Sequence, residues 1–212
     1  MKIKISFAIG VLITSLFLHS TTIANRYDAT NGWEFIAGLG FGNIDNMLDN
    51  DGLTAFKRIG AGKQIFYKYN ALWGLELGAQ DGNQMRLNLS YDEKMALGDT
   101  AVQTYISPAI DLLAQVKKRV SGGKKPTIAY LKAGIAYRSL HFDRDTINSL
   151  QKINPEVQVG FGKLLSDHAM LSLGYQGIFA NNIGLTVYSD GTARVKNIPT
   201  QHGGLLAFTY FV

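Results

Sequence analysis

Cysteine is absent from the 212-residue chain. That excludes a disulfide scaffold, a thiolate metal site and a cysteine nucleophile. Proline is scarce, at four residues, so little interrupts extended backbone. Charge is sparse, at 17% with a formal net of +5, too mild an excess to imply a nucleic-acid partner. Past residue 24 there is no run of 18 apolar residues, and a mean hydropathy of +0.02 is too polar for a bundle of membrane helices. What is plentiful is glycine, with 23 residues, and aromatics, at 11%. Together they suggest many strands meeting in a confined space.

The first 24 residues read as an address. Lys2 and Lys4 form a charged start, an apolar stretch runs from Ile5 to Leu18, and Thr22-Ile23-Ala24 is a small-x-small ending. This is the layout of a cleaved export signal, and the apolar stretch is shorter than the roughly 20 residues of a spanning helix. No cysteine sits at the cut, so a lipid anchor is not expected. The mature domain would be 25–212; losing Lys2 and Lys4 lowers its formal charge from +5 to +3.

From there the pattern has period two, the signature of strands. Over 32–42, Trp33, Phe35, Ala37, Leu39 and Phe41 alternate with Glu34, Ile36, Gly38, Gly40 and Gly42. Over 71–80, Trp73, Leu75 and Leu77 alternate with Gly74, Glu76 and Gly78. Comparable stretches are 56–66 (Arg58 on the polar side), 102–116 (Val102, Ile106, Ile110 and Leu112 against Gln103, Tyr105 and Asp111), 127–138 (Leu131 and Ile135 against Lys132 and Arg138), 155–164, 169–181 and 201–212. That makes eight strands.

The polar face carries nearly all the glycines together with Glu34, Glu76, Asp111 and Lys132, and glycine suits the crowded interior of a narrow barrel. The other face carries Trp, Tyr, Phe and Leu, as a lipid-facing band would. Lys63 and Lys163 interrupt that face near strand ends, where they can snorkel to headgroups. In lipid an open sheet edge leaves backbone groups unpaired, so the sheet should close. The expected fold is therefore an all-β, eight-stranded antiparallel up-and-down transmembrane barrel. A soluble secreted barrel or sandwich is the alternative.

Short links are expected near 67–70 and 165–168, with a somewhat longer one over 117–126. Longer loops are expected over 43–55, 81–100, 139–154 and 182–200. With an even strand count both chain ends lie on the periplasmic side. Asp190-Gly191 is a two-residue hairpin signal that would place Leu171 opposite Tyr210, Leu173 opposite Phe208 and Tyr175 opposite Leu206. If Val116 and Thr127 flank the basic turn, Asp111 falls opposite Lys132.

The phrases GWEFIAGLGFG, ALWGLELGAQ, YLKAGIAYR and QHGGLLAFTYFV, in that order behind an export signal, resemble the eight-stranded outer-membrane barrel family typified by OmpX and the transmembrane domain of OmpA, often labelled opacity-like surface antigens. The resemblance covers essentially the whole mature chain. It implies a non-enzymatic surface protein whose loops contact host surfaces, lipopolysaccharide or neighbouring proteins. The last strand resembles the assembly signal of such barrels through Gln201, Gly203, Leu206, Phe208 and Tyr210, although the chain ends in Phe211-Val212 and lacks the family's usual terminal aromatic. No counterpart of the peptidoglycan-binding domain of OmpA is expected.

Five residues form the main candidate constellation: Glu34, Arg58, Glu76, Asp111 and Lys132. They can be a proton or ion path, or a structural network in which interior charges neutralise one another and plug the lumen; the cost of unpaired buried charge favours the network. Ser139, His141 and Asp143 have triad composition, but residues spaced by two on a strand point in parallel, whereas a triad must converge. The family's lipid A deacylases carry His and Ser before an Asn-x-Gly segment, and Phe179-Ala180-Asn181-Asn182-Ile183-Gly184 lacks both. The palmitoyltransferase barrels begin with an amphipathic helix, for which 25–31 is too short. Lys117-Lys118-Arg119 and Lys124-Lys125 flank Ser121-Gly122-Gly123; this is a solvated turn or a contact for anionic headgroups or periplasmic polymers. Asp45, Asp49 and Asp51 lack the Gly and distal Glu of a calcium loop, and His168 and His202 are isolated. Expected are no catalytic residues, no cofactor, no metal, no nucleic acid and a monomer in outer-membrane lipid, delivered by the outer-membrane assembly machinery. A small channel or permeability protein is the first alternative, and a lipid-modifying enzyme the more remote one.

Overall fold

The computed structural model describes residues 32–48, 51–98, 101–121, 125–180, 184–188 and 190–212. The proposed export signal, 1–24, lies outside the described residues. Eight long strands form one closed antiparallel barrel: β1 (Trp33–Ile44), β2 (Leu53–Lys68), β3 (Ala71–Gln80), β6 (Ala109–Arg119), β7 (Thr127–Phe142), β8 (Leu150–Ser166), β9 (Ala169–Ile178) and β12 (Gln201–Phe211). Each pairs with its sequence neighbours, and β1 closes the cylinder on β12 from Glu34–Phe211 to Ile44–Gln201. Four short strands extend the loops at one end: β4 (Asn83–Arg86), β5 (Gln103–Ile106), β10 (Leu185–Val187) and β11 (Ala193–Val195). Helix α1 (Tyr91–Ala96) lies between β4 and β5, its first turn closed by a capping box between Ser90 and Glu93.

The barrel is inside out relative to a soluble protein. Leu173 is 65% exposed and Phe41 64%, while Glu76 is 1% exposed and Arg58 1%. Phe35, Trp73 and Phe208 face outward, and Leu131 is half-buried on the same face. The lengths of β3, β6, β9 and β12, at 10 or 11 residues each, suit the 9–11 residues of a tilted membrane strand. At the end where β1 begins and β12 finishes, the β2–β3 and β8–β9 links are tight, at two residues each. Tyr69 and Asn70 both take positive φ, 55° and 56°, the primed hairpin turn that matches strand twist.

Eight strands leave a bore about one side chain deep, and one row around it shows how the bore is filled. Phe56, Gly40, Leu205, Gly174, Gly160 and Tyr130 are successive register partners on six strands. Large residues lie over the glycines beside them: a Cβ on Gly40 would sit 2.0 Å from the Phe56 ring, and one on Gly174 would sit 2.2 Å from Tyr130 Oη.

Two expected registers are corrected. Asp190-Gly191 lies at the turn, but Tyr188 N donates to Thr192 O, so the pair that flanks it is not that of a two-residue hairpin, and Gly191 takes the left-handed φ of 77°. In the barrel Leu171 faces Phe208, Leu173 faces Leu206 and Tyr175 faces Gly204. The shift is even, so every side chain keeps its expected face. Asp111 faces Ala136, and Lys132 faces Gln115. The reason is that β6 runs on through Arg119, so Lys117-Lys118-Arg119 are strand residues and the link is only 120–126.

The cysteine-free background offers a direct check. Ala114 and Ala133 are exposed register partners, and opposed Cα atoms lie within disulfide reach. Ala114→Cys with Ala133→Cys should crosslink on mild oxidation. Ala114→Cys with Ala129→Cys, about 13 Å out of register, should not.

Val102 and Ile106 are the third correction. They were expected on the lipid face, but the chain breaks between β5 and β6 at Ser107-Pro108, and the face reverses. Val102 (0% exposed) and Ile106 are buried under the loops, while Ile110 and Leu112 look outward.

Candidate functional site: a charged lumen beneath an apolar cap

Glycine spacing opens room in the lumen, and long polar side chains occupy it. A Cβ on Gly78 would lie 2.2 Å from Arg58 Nη2, and one on Gly62 would lie 2.7 Å from Glu34 Oε1. Arg58, on β2, forks between two strands: Nη1 donates to Glu76 Oε1 at 2.7 Å and Nη2 to Asp111 Oδ1 at 2.5 Å. Lys132 Nζ reaches the other Glu76 oxygen at 2.7 Å. Nearer the terminal end, Glu34 accepts from Gln115 Nε2 at 2.6 Å and from Lys117 Nζ. All five residues singled out from the sequence lie inside the barrel. Four of them form one chain, Asp111–Arg58–Glu76–Lys132, and Glu34 belongs to a second cluster.

Alternation already set Arg138, Glu156, Gln158 and Gln176 on the polar face, but the candidate constellation left them out, and Lys117 was not assigned to the interior at all. Lys117 was read as part of a solvated turn or of a contact for anionic headgroups or periplasmic polymers, yet it is buried against Glu34. Arg138, fully buried, donates to Asn154 Oδ1 at 3.1 Å. Glu156 accepts from Gln158 and Gln176 at 2.7 and 2.8 Å, and Gln176 also donates to Gln80. Lys117 continues the alternation of Asp111, Leu113 and Gln115, so its signal was present and the charge run obscured it. The interior thus sets Arg58, Lys117, Lys132 and Arg138 against Glu34, Glu76, Asp111 and Glu156, a balance that buried charge requires.

Apolar layers close both ends. Ile128, Leu164 and Met170, with Phe211 against them, fill the terminal end. At the other end the loops fold over the bore around Ile44, Met47, Leu87, Val102, Leu140 and Ile198. This cap is cross-tied. Met47 bridges to Leu87 and Ile147 to Ala193, Asn148 exchanges hydrogen bonds with the Val195 backbone, and Arg144 donates to the Leu97 carbonyl. Between the layers a void of about one water's size is lined by Lys117, Tyr130, Lys132, Ser172 and Thr209, among others.

The remaining candidates do not converge. His141 Nδ1 lies 3.3 Å from Ser149 Oγ, and Ser139 is buried in β7 while Asp143 is exposed. Asp51 forks onto Arg86 at 2.6 and 2.9 Å; the Arg86 side chain holds that carboxyl below its usual value. Asp45 instead faces His202 at 3.7 Å. Asp49 and 181–183 lie outside the described residues. Among the described residues no three His, Asp or Glu side chains gather as metal ligands would.

A closed eight-stranded cylinder with a greasy exterior and a paired ionic interior defines a transmembrane β-barrel of the outer-membrane class. No protein-family model and no curated protein matches the sequence. Among solved structures, the chain is similar to the outer membrane protein OprG of Pseudomonas aeruginosa, with a TM-score of 0.54 at 11% identity over 87% of this chain and 97% of that one. It is also similar to Neisserial surface protein A, with a TM-score of 0.48 at 15% identity over 84% and 95%, and to the attachment invasion locus protein Ail of Yersinia pestis, with a TM-score of 0.47 at 9% identity over 85% and 97%. The likeness to OprG carries the fold.

Proposed function

We propose that the chain is a non-enzymatic protein of the bacterial outer membrane, exported by cleavage of 1–24, whose lumen is plugged and whose cap is its working surface. The paired ionic interior carries this reading. Ions crossing the bore would have to break the Arg58 and Lys132 pairs and part the apolar layers at both ends. The cap presents Tyr91, Met95, Tyr105 and Tyr188 to the outside, side chains suited to contact with lipopolysaccharide, host surfaces or neighbouring proteins. In β12, Gln201, Gly203, Leu206, Phe208 and Tyr210 are the proposed signal for the assembly machinery.

The refolded chain should migrate differently on a gel before and after boiling. In planar bilayers it should give no steady conductance. A second reading, a narrow permeability path, draws on Arg138 Nε and Nη1 and Glu156 Oε2, buried atoms without hydrogen-bond partners among the described residues, which internal water would satisfy. Steady conductance would establish that reading over the first.

A further inference from the structure

The barrel end that carries the chain termini is ringed by exposed cations. Lys63 and Lys68 stand on β2, Lys163 on β8 and Lys125 in the link after β6. Among the described residues none of the four has an ion-pair partner, and the acidic side chain that this rim carries outside the lumen is Asp167. The cations are interleaved with aromatics: Lys63 Nζ lies 5.4 Å from the Trp33 ring centroid and Lys68 Nζ 4.9 Å from that of Tyr69. Aromatic rings mark the boundary between hydrocarbon and headgroups. The lysines therefore reach out at phosphate level.

We propose that this ring binds anionic phospholipid headgroups, of the phosphatidylglycerol type, in the periplasm-facing leaflet. The proposal rests on the outer-membrane reading above. Two placements favour lipid over a periplasmic polymer. Lys63 pairs in register with Trp33 and Leu75, and Lys163 with Thr127 and Leu171. Both cations stand on the outer wall bordering the apolar belt, where lipid is the neighbour. A lysine near an anionic surface favours contact by about fivefold, so four acting together give selectivity well above tenfold.

The test uses the full chain refolded into phosphatidylcholine vesicles containing a minority of phosphatidylglycerol, then extracted for native mass spectrometry. The retained ratio of phosphatidylglycerol to phosphatidylcholine should exceed the vesicle ratio by about tenfold or more, and the excess should fall at about 1 M salt, where the screening length is only about 3 Å. The variant Lys63→Gln, Lys68→Gln, Lys125→Gln, Lys163→Gln should retain lipids in the vesicle ratio. Gel mobility with and without boiling, read on the same samples, separates the two ideas. With that shift intact, retention in the vesicle ratio by the unaltered chain, or undiminished enrichment in the variant, overturns the lipid proposal alone. Loss of the shift in the unaltered chain overturns the outer-membrane reading and this proposal with it.

Discussion

Arg58→Ala should destabilise the folded barrel by about 3–5 kcal/mol, the usual consequence of removing one partner from a buried ionic network. Arg58 is 1% exposed and holds carboxylates from two different strands, Glu76 on β3 and Asp111 on β6. Without it Asp111 loses its one ion-pair partner among the described residues, while Glu76 keeps Lys132. The loss should therefore fall mainly on Asp111, and Arg58→Ala combined with Asp111→Asn should recover a large share. Arg58→Lys should be intermediate, because a single ammonium cannot fork to two carboxylates as a guanidinium does. Denaturant titration of the refolded protein, read as the midpoint of unfolding, measures all three. An unchanged midpoint for Arg58→Ala would mean that the network adds nothing to stability.

The faces of the eight long strands were legible in the sequence, the reversal at Val102 and Ile106 before β6 was not, and neither were the registers. Alternation assigns each residue to lipid or lumen by parity alone, so Glu34, Glu76, Asp111 and Lys132 could be placed inside without knowing any partner. Register depends on where each strand stops. At the basic link the charge run looked like solvent-exposed turn, while in the structure Lys117 is drawn into the bore by Glu34, a residue 83 positions away. Asp111 consequently pairs with Arg58 rather than Lys132. No local pattern carries such a contact. The cap was illegible for a related reason. Val102 and Ile106 continue the apolar alternation of 102–116, and only the break at Ser107-Pro108 turns them inward; Leu140 has the parity of Lys132 and Arg138, and the folding of distant loops makes an apolar core around it.

Gly174→Val should abolish the heat-modifiable folded form, because the β8–β9 seam has no space for a side chain. Gly174 and Gly160 are register partners. A Cβ on Gly174 would lie 2.2 Å from Tyr130 Oη and 2.5 Å from the Val159 carbonyl oxygen. The first neighbour is the far end of a side chain, but the second is backbone of the adjoining strand and cannot yield without breaking the ladder. Gly174→Ala should thus cost about 1–3 kcal/mol, the range for forcing one extra carbon into a filled interior, and adding Tyr130→Phe should return only part of it. Gly204 provides the contrast on the outer wall, where a Cβ would meet nothing closer than 4.0 Å. Gly204→Ala should refold with the same gel shift and unfolding midpoint as the unaltered chain. Full rescue of Gly174→Ala by Tyr130→Phe would place the crowding at the hydroxyl instead of the backbone. The seam would then be a packing preference rather than a condition for closing the barrel.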